Sequence, residues 1–74
     1  MSFLIQTGDG NLPTLSEGEA KKDRALQRAR QHLADHPEAV GEIHVTAMPS
    51  HDTLLTVFRT EAGGGVTEEG PEAR

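Results

Sequence analysis

Glu42-Ile43-His44-Val45-Thr46-Ala47-Met48, followed by Pro49-Ser50-His51-Asp52 and then Thr53-Leu54-Leu55-Thr56-Val57-Phe58-Arg59-Thr60, is the stretch that decides the fold. Its first part alternates polar and apolar side chains, the period of a strand with one buried face. Pro, Ser and Asp then supply the fixed φ and local hydrogen bonds of a turn. The second run is rich in the β-branched residues that suit a pleated surface. Together they predict a β-hairpin. If Ile43, Val45, Ala47, Leu55 and Val57 face a helix, alternation sends His44, Thr46, Met48, Leu54, Thr56 and Phe58 to the other side.

The helix is expected just upstream. Ser16-Glu17-Gly18-Glu19 has the form of a capping box, with Leu15 and Ala20 placed as a hydrophobic staple. The pattern predicts a helix from Glu17 to about Asp35 that stops at His36-Pro37, because a residue before proline is pushed out of the helical region. Leu26, Ala29 and Leu33 form its apolar face, with Ala25, Lys22 and His36 at the margins. So narrow a face, rich in alanine, suits close packing on a sheet.

Further outward, Phe3 to Thr7 alternates as a strand with Leu4 on the open side, and Gly8-Asp9-Gly10-Asn11 reads as a turn. Leu12-Pro13-Thr14-Leu15 reads as a short returning edge strand, where proline is tolerated. From Glu61 on, three consecutive glycines and three more glutamates leave almost nothing apolar, so residues 61–74 are expected as a disordered acidic tail. The expected class is α+β: a single domain over residues 1–60, with a three- or four-stranded largely antiparallel sheet and one helix on one face, in the order β-(β)-α-β-β.

Composition narrows the chemistry. The 74 residues include no cysteine, which excludes a disulfide framework, a cysteine zinc site and a thiol nucleophile. No apolar run reaches the length of a membrane span, and Met1 to Ile5 lack the basic flank and long core of a secretory signal, so a cytoplasmic protein is expected. The net charge of -5 is uneven: five of the seven basic residues lie between Lys21 and Arg30, while residues 61–74 carry four acids and one arginine.

Three groups of residues are functional candidates. Leu4, Met48, Leu54 and Phe58 on the uncovered sheet face, with His44 as a pH-sensitive member, predict an interface with a second copy or another protein. Lys21, Arg24 and Arg28, with His32, share a helix stripe that could meet phosphates or an acidic partner, which makes nucleic acid the alternative reading. The competing reading is a solvated helix face with acids at i, i+4 spacing.

His32 and His36 have the spacing that brings two imidazoles together on one turn. A metal site would need further ligands, from His44 or His51, and helix-end histidines are also favoured by the macrodipole.

Ser50-His51-Asp52 holds the residue types of a hydrolase triad, but neighbours in a tight turn do not place an imidazole between the other two groups. Gly8-Asp9-Gly10-Asn11 lacks the remaining residues of a phosphate loop, a dinucleotide fingerprint or an EF-hand. No cofactor and no enzymatic activity are expected. The expected function is that of a small interaction or regulatory protein. Acidic, cysteine-free α+β chains of this size are common among phage and mobile-element proteins, anti-CRISPR inhibitors included, an analogy of fold alone that no motif here carries.

Overall fold

The chain forms β1 (Ser2–Gly10), β2 (Ser16–Glu19), α1 (Lys22–Ala34), β3 (Gly41–Met48), β4 (Asp52–Arg59) and β5 (Thr67–Glu69) in a computed structural model that describes residues 1–74. The strands make one antiparallel sheet in the order β2-β1-β3-β4-β5, with α1 against one face. This is the expected α+β class, with five strands. No helix is long and apolar enough to cross a membrane.

The hairpin pairs Ile43 with Val57 and Val45 with Leu55, and β1 adds Ile5 opposite Val45 and Phe3 opposite Ala47. All six of Ile5, Ile43, Val45, Leu55, Val57 and Leu33 are fully buried, packed with Ala25, Leu26 and Ala29 of α1. The alanines bring the helix close to the sheet, so a small set of side chains closes the core.

Three expectations are corrected. First, Ser16–Glu19 does not cap the helix; it is β2, paired along β1 from Gln6 opposite Ser16 to Phe3 opposite Glu19. A capping box stabilises by about 1 kcal/mol, and Gly18 would cost a helix about as much. Pairing the exposed edge of β1 outweighs that local preference. The Glu19 carboxylate instead accepts from the Ala20 and Lys21 backbone N–H groups, and α1 begins at Lys22 without a side-chain cap.

Second, residues 12–15 are not a strand. Leu15 is buried and held to Thr7, its N–H donating to Thr7 Oγ1 at 3.1 Å and its carbonyl accepting from the Thr7 N–H at 3.0 Å. Nor does the sheet stop at Gly8. β1 runs to Gly10, across an irregularity where its backbone meets β3 so closely that a Cβ on Gly10, at φ 134°, would collide with Gly41 and the Val40 carbonyl.

Third, residues 61–74 are not a disordered tail. They supply β5, and the Glu72 N–H donates to the Leu54 carbonyl at 3.0 Å. Backbone pairing and charge, in place of apolar burial, hold this segment.

The end of α1 has an anchor from β4. Arg59, itself buried, donates from Nη1 to the carbonyls of Leu33 (3.3 Å), His36 (2.9 Å) and Ala39 (3.2 Å), and from Nε to that of Gly64 (3.0 Å). A cation there meets the negative end of the helix dipole and satisfies carbonyls left without helical partners.

Candidate functional site

With α1 on one face, the other face of the sheet is uncovered, and register sorts its side chains into rows. Leu4, Thr46 and Thr53 share a row, next to Met48, which stands opposite Ser2. The following row crosses all five strands as Ser16, Gln6, His44, Thr56 and Glu69. The row after that holds Glu42, Phe58 and Thr67.

Leu4, His44, Met48 and Phe58 therefore share this face, each half-buried. Leu54, the remaining expected member, lies at an irregularity of the hairpin. The register shifts between Val45 and Thr46, a bulge that leaves Leu54 out of the cross-strand pairing, and Leu54 packs against the core cluster. The apolar groups thus lie at two ends of the face, with the polar row of His44 and Thr56 between them.

At the centre, His44 has both ring nitrogens engaged. Nε2 lies 3.3 Å from Glu42 Oε1 and Nδ1 lies 3.0 Å from Thr56 Oγ1. An ionised carboxylate only accepts, so in the neutral ring Nε2–H donates to Glu42 and Nδ1 accepts the Thr56 hydroxyl. Glu42 lies across Gly8, where a Cβ would stand 2.5 Å from its Oε1, and it also accepts from the Asp9 N–H at 3.4 Å.

Carboxylate, imidazole and hydroxyl in line have the composition of a proton relay. The setting does not favour one. Thr56 lines a shallow depression of about 430 Å³ together with Glu42, Phe58 and Glu69. Carboxylates beside it would oppose the oxyanion that acyl transfer develops.

The helix stripe is divided by the tertiary structure. Arg28 makes a two-pronged ion pair with Glu17 of β2, at 3.2 and 3.3 Å. His32 is buried, its Nε2 donating to the Pro13 carbonyl at 2.8 Å. Lys21 and Arg24 remain exposed. His32 and His36 do meet, edge to face with ring centroids 4.9 Å apart, but no group of three His, Cys, Asp or Glu is placed to hold a metal ion. His51 sits exposed in the β3–β4 turn at φ 66°.

Two further groups join the residues expected to be functional. Glu42 was legible as a neighbour of His44, since i and i+2 share a strand face, whereas Thr56 required the hairpin register. Arg30 and Glu68 carried no such signal. They form the most buried ion pair, Nε to Oε2 at 2.9 Å and Nη2 to Oε1 at 3.0 Å. The Arg30 hydrogen bond holds the Glu68 carboxyl below its ordinary value, against the opposing effect of burial, and Glu68 in turn raises Arg30. No family model, curated protein or solved structure matches the chain.

Proposed function

We propose that this chain is a small non-enzymatic interaction protein that works by attaching its uncovered sheet face to another macromolecule, in the first instance a second copy of itself. The observation that carries this reading is the one-sided sheet: α1 covers one face, while Leu4, Met48 and Phe58 stand half-buried on the other around a row of hydrogen-bonding side chains. Paired faces of two sheets pack about 10 Å apart and bury such side chains on both.

The placement of the apolar groups suits a two-fold contact, in which one surface meets its own copy. An axis lying in the face and crossing it near His44 would set Phe58 of each protomer on Leu4 of its partner. The polar rows would then meet at the centre.

Light scattering over a concentration series tests this. The wild-type chain is expected to reach twice the monomer mass, and Phe58→Asp to remain a folded monomer, because an aspartate would be buried against apolar side chains. A wild type that stays monomeric to millimolar concentration would sink the self-association reading.

A further inference from the structure

The outer edge of β4 is covered unevenly. β5 pairs with it only at Thr56, Val57 and Phe58, and beyond that the Glu72 N–H reaches the Leu54 carbonyl. Little apolar surface holds this segment down, since Val66, its one large apolar residue, is 47% exposed. Charge holds it instead. Glu68, opposite Val57, points to the helix side and takes both prongs of Arg30. Arg30 Nη2 also donates to the Glu72 carbonyl at 3.1 Å, and Lys22 Nζ lies 3.3 Å from Glu72 Oε2. Arg30 and Lys22 belong to α1, which is fixed on the sheet by its own buried face.

We propose that the β4 edge, flanked by Arg30 and Lys22, is an acceptor for an extended acidic peptide of a partner, and that residues 67–72 are a strap that fills it in the partner's absence. Strand addition supplies main-chain hydrogen bonds at a sheet edge, and side-chain pockets set which strand is accepted. Here the selection is by charge: an acid opposite Val57 and a second acid four residues on, the pattern of Glu68 and Glu72. β2 is also pinned by a helix arginine, through Arg28 and Glu17. It cannot serve the same purpose, because the chain continues from both of its ends into β1 and α1. The strap is joined to β4 through the flexible run Gly63-Gly64-Gly65.

A tethered strand competes at an effective concentration in the millimolar range, so the intact chain binds an incoming peptide weakly. The test uses the full chain and a dye-labelled synthetic peptide with the sequence of residues 65–74, followed by fluorescence anisotropy. In the Glu68→Arg variant the strap is repelled by Arg30, and the peptide is expected to bind about ten-fold tighter, or more, than to the wild type. Adding Arg30→Glu to that variant restores the pair in reversed order, closes the strap again and repels the peptide.

Equal affinity for wild type and variant would overturn the proposal. So would an absence of binding to a variant whose outer β4 amides have lost protection from hydrogen exchange, or a strap that exchanges between two copies and makes this edge a self-interface. If Glu68→Arg fails to fold, Glu68→Gln gives a smaller change in the same direction or the proposal fails. The light-scattering experiment concerns the open face, and its outcome is separate from this one.

Discussion

Arg59 occupies a position where charge, burial and geometry constrain one side chain. Its guanidinium is buried with four backbone carbonyls as acceptors, three of them at or beyond the end of α1. The planar fork reaches in two directions at once, which a lysine ammonium cannot do. Arg59→Ala would leave those carbonyls without a donor and is expected to destabilise the fold by about 3 kcal/mol, with Arg59→Lys recovering only part. Urea unfolding would read this as a lower midpoint at unchanged slope. In the sequence Arg59 stands at the end of a β-branched run and looks like an exposed strand end. Its role depends on where the helix terminus lies, which no local pattern near Arg59 states. His44 differs, because strand alternation placed it on the open face with Met48 and Phe58.

At the scale of elements, the two edge strands are each bonded to the helix by a glutamate: Glu17 of β2 to Arg28, and Glu68 of β5 to Arg30. The second pair is the more enclosed, with side chains 19% and 13% exposed, so solvent screens it less than an ordinary surface pair. The native Glu68 carboxyl is held below its ordinary value of 4.5. Its contribution to stability is therefore present in full above that value, and it is lost as pH falls through the lowered native value.

Hydrogen exchange at β5 is expected to show protection that is steady above pH 5 or thereabouts and falls on acidification, with Glu68→Gln removing most of that dependence. A β5 whose protection is equal in the variant and the wild type across this range would contradict it. The helix boundaries show the converse. Pro37 ends α1 where the sequence indicates, because ring sterics are local, while its start is set by β2 pairing across the sheet.

For the molecule as a whole, the limiting quantity is apolar burial. Twelve hydrophobic residues make up the buried cluster, and three of them are alanines of the helix or the sheet. Small domains bury a modest fraction of their surface and gain from association. If the open face pairs as proposed, unfolding is coupled to dissociation, and the melting temperature should rise with protein concentration. A ten-fold increase in concentration is expected to raise it by roughly a few degrees, measured by calorimetry, with Phe58→Asp showing no such rise. A concentration-independent melting temperature in the wild type would count against the two-fold contact.

The hairpin, the first strand, the class of fold and the division of β3 into helix-facing and open positions were all legible in the sequence. They follow from alternation and turn chemistry, which act between near neighbours. The tertiary structure alone decided the rest. Ser16–Glu19 became a strand because an exposed β1 edge was beside it. Residues 61–74 joined the sheet because Arg30 and Lys22 lay across from Glu68 and Glu72. Leu54 fell out of the cross-strand pairing because β3 and β4 shift register there. Each outcome depends on pairing between separate segments, and pairing of that kind leaves no periodic trace in either segment by itself.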